Sequence, residues 1–299
     1  MEYSEELIEK VERLLDILDG IGQAPVAAKR LSLCGGTALN LLRSRMPPRL
    51  SEDLDFNFRH DGRGDWGLAR SETEATLKAV LQRVGYDMRM VKIQPQYNLG
   101  RFYVRYRNRI GRNDLIKIEI GYMRRIPDLR RDSLIRVPNH KNTSVKTPIL
   151  EELYANKFCT MFSRMRKRPN ARDVFDVATI STRKFRRSLF MDLAMLETLL
   201  MNMEFGEVRF VGLGKNSEQE LVNLAGQSVE VDEVTAIAED FSNTVLEEPV
   251  SNGIAEFQDY FRRTGMVKTD MLHNPDLINL RIQEHPQLQW LKIGKSSAA

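Results

Sequence analysis

Apolar residues recur at helical spacing near the N-terminus. Between Ser4 and Leu18 the apolar side chains are three or four residues apart, and acidic residues gather at the start of the segment. This pattern predicts an amphipathic first helix. The same spacing predicts a second helix over Glu72 to Val84. Each helix would pack one apolar stripe against a core.

Alternating apolar and polar residues predict strands around these helices. Gly100 to Arg107 and Asp114 to Tyr122 both alternate, and the sequence NRIGRN joins them, so the two segments predict an antiparallel hairpin. Shorter strands are predicted at Leu31 to Cys34 and at Asp53 to Phe58.

Helical spacing returns after a predicted loop from Pro138 to Pro148. One helix would bury the stripe formed by Leu150, Tyr154, Phe158, Met161 and Met165. Further helical runs cover Phe185–Met203, Val231–Leu246 and Ile254–Arg262. The expected fold is therefore α+β, with a mixed β-sheet core flanked by helices in residues 1–146 and a mostly helical C-terminal domain in residues 147–299.

Composition fits a large globular protein. The 299-residue chain is 42% hydrophobic and 29% charged, which is enough for one large domain or two ordinary ones. No apolar run approaches the roughly 18 residues that span a bilayer, and the N-terminus is acidic, so we expect a cytoplasmic protein without a membrane partner. The four histidines lack ligand spacing, which argues against a zinc centre or a histidine-based triad.

The net charge of +4 conceals an uneven distribution along the chain. Residues 101–187 contain 23 Lys and Arg against 8 Asp and Glu, whereas residues 188–299 contain 8 against 18. The basic section also contains Phe102, Tyr103, Tyr106 and Tyr122. Basic and aromatic residues together predict a surface for nucleic acid. The alternative is that these arginines are solvated or pair with the acidic C-terminal part inside the fold.

Two carboxylates begin the strand predicted at residue 53. Asp53 and Asp55 are two residues apart, so they share one face of the strand with Cα atoms roughly 6.6 Å apart. Leu54 and Phe56 would face the core. Such a pair can hold one hard cation, or two ions that support phosphoryl transfer, and Mg²⁺ is the expected ion. The alternative is a pair of solvated acids on an edge strand.

A diglycine precedes these acids. Gly35 and Gly36 lie between the short strand and an apolar segment that predicts a helix from Thr37. Glycine lets the backbone approach a ligand, and free N–H groups at a helix start favour an anion such as triphosphate. The Thr37 hydroxyl could add a contact. A strand, a diglycine, a helix and then S-x-D-x-D form a more specific signal than a diglycine alone.

A third carboxylate is predicted on the hairpin. In the segment LIKIEIG, Glu119 lies on the face opposite to the isoleucines, so it can lean towards Asp53 and Asp55 if the strands are neighbours. It is then a candidate metal ligand. The alternative is a salt bridge on the strand surface between Glu119 and Lys117.

The runs GGTALNLL and RLSEDLDF resemble the nucleotidyltransferase motif of the AbiEii/MenT family, within the DNA polymerase beta-like superfamily. LEELYANKF and RDVFDV resemble that family's second region, so the resemblance covers about residues 30–180. It implies a nucleotidyltransferase-like sheet core and raises the expectation that Glu119 binds metal.

The resemblance also implies site residues in the second domain. Lys157 would neutralise triphosphate charge, and Asp173 and Asp176, three apart on one helical face, would orient Lys157 or hold incoming groups. An aspartate at a helix start can equally be only a cap. In the expected mechanism Asp53 and Asp55 carry the metal, while the phosphates rest on Gly35, Gly36, Thr37 and Ser51.

The family implies a toxin of a type IV toxin-antitoxin or abortive-infection system. It would add nucleotides from an NTP, with Mg²⁺ or Mn²⁺, to RNA, with the tRNA 3′ end as acceptor, and so block translation. A cognate antitoxin is implied, although direct binding to the toxin is not. Two alternatives are a nucleotidyltransferase for small molecules such as antibiotics and a non-catalytic NTP-binding regulator.

Overall fold

The chain divides into two compact units. The computed structural model describes residues 3–43, 49–59, 65–122, 133–140, 142–165, 170–187 and 231–247, with isolated positions between 190 and 220. One unit lies within Glu2–Ile149 and the other within Leu150–Met271. Each is described separately below.

The helices of the first unit differ in whether a polar side chain caps their first turn. They are α1 (Glu5–Gly22), α2 (Pro25–Arg30), a π-helix (Thr37–Leu42), α3 (Trp66–Arg83) and a 3₁₀ turn (Met88–Met90). Ser4 caps α1 by accepting from the Leu7 N–H, and Asp65 caps α3 by accepting from the Leu68 N–H. The Asp65 cap explains why α3 begins before the predicted residue Glu72.

Seven strands form one mixed sheet in this unit. They are β1 (Leu31–Cys34), β2 (Asp53–Phe58), β3 (Val91–Pro95), β4 (Leu99–Arg107), β5 (Asn113–Gly121), β6 (Ser133–Arg136) and β7 (Ser144–Thr147). Their spatial order is β3-β4-β5-β2-β1-β7-β6. The pairs β2–β5 and β1–β7 are parallel, and the other pairs are antiparallel.

One face of the central strands forms the core. Leu54, Phe56, Phe102, Ile118 and Ile120 are buried there. Burying each such side chain contributes about 1.5–3 kcal/mol relative to leaving it exposed. Since side chains alternate along a strand, the residues between them lie on the opposite face.

The predicted hairpin is confirmed as β4 and β5. The predicted loop over Pro138–Pro148 is wrong in part, because β7 lies within it. Strand β7 has the sequence SVKT and β6 the sequence SLIR, which are too short for alternation to stand out.

The second unit is helical where it is described. Its helices include α4 (Leu150–Met165), α5 (Ala171–Ser181) and α6 (Val231–Glu247). Phe158 of α4 packs edge-on against Phe241 of α6, with ring centroids 6.0 Å apart. The helix predicted over Ile254–Arg262 lies outside the described residues. Among the described helices, none has the length and apolar character needed to cross a membrane.

Candidate active site

Asp53 and Asp55 project from the same face of β2. Leu54 between them is fully buried on the opposite face. In the parallel pair with β5, Asp53 lies opposite Lys117 and Asp55 lies opposite Glu119. The structure therefore brings the acidic pair and the predicted third carboxylate together on one face.

The diglycine turn lies directly against Asp55. Strand β1 ends at Cys34, which is opposite Asp55 in the register. Gly35 follows with a φ of +68°, a conformation that side chains rarely adopt. A Cβ on Gly35 would lie 3.0 Å from Asp55 Cβ and 3.1 Å from Cγ, and closer still to Oδ2. Only glycine leaves room for this carboxylate.

Gly36 leaves space beside a hydroxyl and a guanidinium. A Cβ there would lie 2.8 Å from Ser51 Oγ and 3.0 Å from Arg49 Nη2. Ser51 Oγ in turn lies 3.4 Å from Asp53 Oδ1. Arg49 is only 3% exposed, which is unusual for an arginine. Arg49 is not among the residues predicted for the site, because nothing in the local sequence distinguishes it from a solvated arginine.

Thr37 ties the turn to the acidic strand. Its hydroxyl is buried and donates to the backbone carbonyl of Asp53 across 2.5 Å. The predicted helix after the diglycine is present, but as a six-residue π-helix, Thr37–Leu42. So short a helix adds little to the macrodipole, so any attraction for an anion here depends on local N–H groups and on Arg49.

Glu119 is bound by two cations. Arg101 Nε lies 2.7 Å from Glu119 Oε1, and Lys117 Nζ lies 3.0 Å from Oε2. Lys117 Nζ also lies 3.7 Å from Asp53 Oδ2. The salt bridge considered as an alternative for Glu119 is therefore present, and Arg101 joins it.

These contacts fix the charges of the network. Partial burial raises the pKa of Glu119, but the hydrogen bonds from Arg101 and Lys117 outweigh it and hold that pKa below its usual value. Burial lowers the pKa of Lys117, yet Glu119, Asp53 and Asp55 raise it above its usual value. Near neutral pH, Lys117 is a cation beside anionic Glu119.

The donor set suits a magnesium ion. Within the described ranges no group of three or more Asp, Glu, His or Cys side chains is placed so that it could hold a metal ion. Mg²⁺ does not need such a group, because it is commonly held by one or two carboxylates together with water and substrate phosphates. Asp53 and Asp55, beside an open glycine turn, meet that requirement.

In the second unit, Lys157 pairs with Asp176. Lys157 Nζ lies 2.8 Å from Asp176 Oδ2, and Arg164 Nη1 lies 2.8 Å from Asp173 Oδ2. Asp176 is therefore the aspartate of this helix that contacts Lys157, while Asp173 binds Arg164. Neither aspartate caps α5, because Asn170 accepts from the Arg172 N–H.

The comparison with known families decides the classification. Residues 16–265 match the family described as Nucleotidyl transferase AbiEii toxin, Type IV TA system. The chain belongs to the AbiEii family. The resemblance inferred from the diglycine and S-x-D-x-D motifs is thereby confirmed, and with it the class of nucleotidyltransferase toxin.

One solved structure shares the fold of this chain, and a second is only weakly similar. The chain resembles MenT4, a nucleotidyltransferase toxin from Mycobacterium tuberculosis H37Rv, with a TM-score of 0.56 and 16% identity over 90% of this chain and 94% of that one. An antigenic nucleotidyltransferase-like protein from Paracoccidioides brasiliensis is 21% identical over 60% of this chain and 76% of its own, with a TM-score of 0.38. A search of curated proteins gave no match.

Proposed function

We propose that this AbiEii family member transfers a nucleotidyl group from an NTP to the 3′ end of RNA, with tRNA as the acceptor, and so blocks translation. The observation that carries the proposal is the packing of Gly35 against the Asp55 carboxylate, with Asp53 on the same face. A triphosphate on the glycine turn would lie next to two metal-binding groups.

The proposed metal ligands are Asp53, Asp55 and Glu119. Mg²⁺, or Mn²⁺ in its place, would polarise the phosphates and lower the pKa of an acceptor hydroxyl. Because Glu119 Oε2 is engaged by Lys117, its use as a third ligand requires it to exchange that ammonium for the ion. Asp53 is the proposed base for the acceptor hydroxyl.

The chain's own residues would position the NTP. The backbone at Gly35 and Gly36 is open to a phosphate, and the Ser51 hydroxyl and buried Arg49 adjoin Gly36. Thr37 remains a proposed nucleotide contact, although its hydroxyl donor is used within the fold. From the second unit, Lys157 is proposed to offset charge on the leaving pyrophosphate. Asp176 would hold Lys157, and Asp173 would hold Arg164.

The cellular setting is proposed from the family alone. A cognate antitoxin is expected, without the assumption that it binds this chain. A cytoplasmic location would give the enzyme access to NTP and tRNA. The proposed catalytic domain is residues 1–146, and the proposed mostly helical C-terminal domain, which contains Lys157 and Asp173, is residues 147–299.

Labelling tests the proposal directly. The purified chain is incubated with total RNA and each radiolabelled NTP in turn, and RNA is resolved on a gel. We expect one or more NTPs to label RNA in the size range of tRNA, and Asp53→Asn to reduce labelling more than about 100-fold, because a metal ligand contributes at least as much as groups that support it. The control is Asp87→Asn, which changes an exposed aspartate that pairs with Arg89 and lies outside the candidate site. Full labelling by Asp53→Asn would refute the assignment.

One observation favours a small-molecule acceptor as the second candidate. Arg109 and Arg112 of the basic section pair with Glu12 and Glu6 of α1, so part of that charge is neutralised within the fold. Parallel reactions with small hydroxylated acceptors, including aminoglycosides, distinguish the two candidates. Nucleotide binding without pyrophosphate release in any reaction would instead indicate a non-catalytic regulator.

A further inference from the structure

The face of the sheet that carries Asp53 and Asp55 continues across strands β5, β4 and β3, away from the acidic pair. In the registers, Asp53 lies opposite Lys117, Lys117 opposite Tyr103, and Tyr103 opposite Lys92. Opposite residues of paired strands point to the same face, so these four side chains form one row across the sheet. Arg105 is two residues beyond Tyr103 and points the same way. We call Lys92, Tyr103 and Arg105 the outer face.

Tyr103 differs from the other aromatic residues of the basic section. Phe102, Tyr106 and Tyr122 are buried in the core, so the expectation that they contribute to a nucleic-acid surface is wrong. Tyr103 is partly exposed, and within the described residues no ring or cation stacks on it. Among the described residues, no aromatic ring or cation therefore occupies the position that a stacked base would take on its ring.

The cations of the outer face also differ from their neighbours. Arg105 and Lys92 are exposed, and in the part of the chain that the structure describes neither has an acidic partner. By contrast, Arg101 binds Glu119, and Arg112 binds Glu6. Some arginines of the basic section are thus used within the fold, whereas Arg105, together with Lys92 of β3, faces solvent beside Tyr103.

We infer that the outer face binds the single-stranded acceptor end of RNA. Tyr103 stacks on an unpaired base, while Arg105 and Lys92 contact the adjacent phosphates. This deepens the proposed function and rests on it, since the acceptor must approach Asp53. Tyr103 is two strands from Asp53, or about 10 Å at the usual strand spacing, which suits nucleotides next to the reacting end.

The combination of groups selects a single strand. Stacking on an aromatic side chain needs a base that is not already paired and stacked in a helix, and the phosphate contacts follow a flexible backbone. Leu115, opposite Arg105 and 37% exposed, adds apolar surface of the kind that a base can cover. A duplex offers only its backbone to this face.

The test measures RNA affinity apart from catalysis. A fluorescein-labelled single-stranded RNA of about 12 nucleotides is titrated with the full chain at several KCl concentrations between about 50 and 200 mM, and anisotropy gives Kd. The variants are Tyr103→Ala, Tyr103→Phe, Arg105→Ala and Lys92→Ala. Arg112→Ala is the matched control, because it is an exposed arginine of the same hairpin that pairs with Glu6. NTP binding in the presence of Mn²⁺ and the thermal unfolding midpoint are measured on every variant.

We expect Tyr103→Ala to weaken single-stranded RNA binding about 5- to 150-fold, and Tyr103→Phe to bind normally, since the ring supplies the stacking. Arg105→Ala and Lys92→Ala should each reduce the log–log salt slope by about 0.7. NTP binding and unfolding should stay unchanged, and Arg112→Ala should match the unaltered chain.

The inference is overturned if Tyr103→Ala binds the single strand normally, if Arg112→Ala loses as much slope as Arg105→Ala, or if a duplex of equal length binds as tightly as the single strand. These outcomes leave the proposed nucleotidyl transfer standing. If the unaltered chain binds NTP but no RNA, the RNA acceptor in the proposed function fails as well.

Discussion

Lys157 and Asp176 form an ion pair that is largely removed from water. Their charged atoms are 2.8 Å apart, and the side chains are 13% and 1% exposed. Removing one partner of such a buried pair commonly costs about 3–5 kcal/mol, because a charge stays behind in a poorly solvating environment. Lys157 therefore stabilises the second unit as well as being a candidate for catalysis.

The two roles of Lys157 can be separated with a double substitution. We expect Lys157→Met alone to lower the free energy of unfolding by about 3 kcal/mol, and Lys157→Met with Asp176→Asn to recover most of that loss. Nucleotide incorporation should stay low in both. The measurements are urea unfolding and NTP labelling. Recovery of incorporation by the double variant would mean that Lys157 serves only the fold.

Gly35 can be tested against a second glycine with positive φ. Gly35→Ala should lose incorporation, since its methyl group would displace the Asp55 carboxylate. Gly85, with a φ of +96° and no atom within 4 Å of an added Cβ, is the matched control. Both alanines carry backbone strain of about 1–2 kcal/mol and should lower the unfolding midpoint. Only Gly35→Ala should lose activity; equal activity in the two variants would contradict the packing argument.

Glu119 and Lys117 should affect ion affinity in opposite directions. If Glu119 is the third ligand, Glu119→Gln weakens Mn²⁺ binding about 10- to 100-fold, and Lys117→Met strengthens it by removing a competing cation. Electron paramagnetic resonance of free Mn²⁺ measures both without turnover. Unchanged affinity in Glu119→Gln would leave that carboxylate as a partner of Arg101 and Lys117 alone.

Acid should loosen the contact between α1 and the β4–β5 hairpin. Asp114 accepts from Tyr106 Oη across 2.7 Å and lies 2.9 Å from Lys10 Nζ. Burial raises the pKa of Asp114, but hydrogen bonds from Tyr106, Lys10 and the Leu115 N–H hold it below its usual value.

The unfolded chain therefore binds a proton at Asp114 more tightly than the folded chain does. The stabilisation that ionised Asp114 provides is complete above the unfolded pKa of about 3.9 and is lost as pH falls through the lower folded pKa. Urea unfolding from about pH 6 to about pH 3 should show a smaller decline in Asp114→Asn than in the unaltered chain. Identical declines would exclude Asp114 as a contributor.

The acidic face could be predicted because its signal is local. The spacing of Asp53 and Asp55 determines that they share a face, and the alternation around Glu119 determines its side once the strands pair. The parallel register that aligns Asp55 with Glu119 is not encoded locally, so the sequence predicts that these side chains meet only if the two strands are neighbours.

The remaining site residues depend on distant contacts. Arg101 reaches Glu119 across the β4–β5 register, and Arg49 is buried beside Gly36. The residues around each arginine in the sequence give no sign that it differs from an arginine in solvent. Strand β7 pairs in parallel with β1, more than a hundred residues earlier in the chain. Propensity and periodicity within a window of some 18 residues carry no information about such pairings.

The parallel pairing of β2 and β5 has a consequence for how this protein can vary. The loops between the helices and strands from β2 to β5 can change length without altering the chemistry, since they lie outside the pairing, whereas β4 supplies Arg101 to Glu119. A one-residue insertion inside either strand would turn its charged side chains into the core and its leucine or isoleucines into water. Length variation among homologues should therefore be confined to the connections, with Asp53–Phe58 and Asn113–Gly121 free of insertions and deletions.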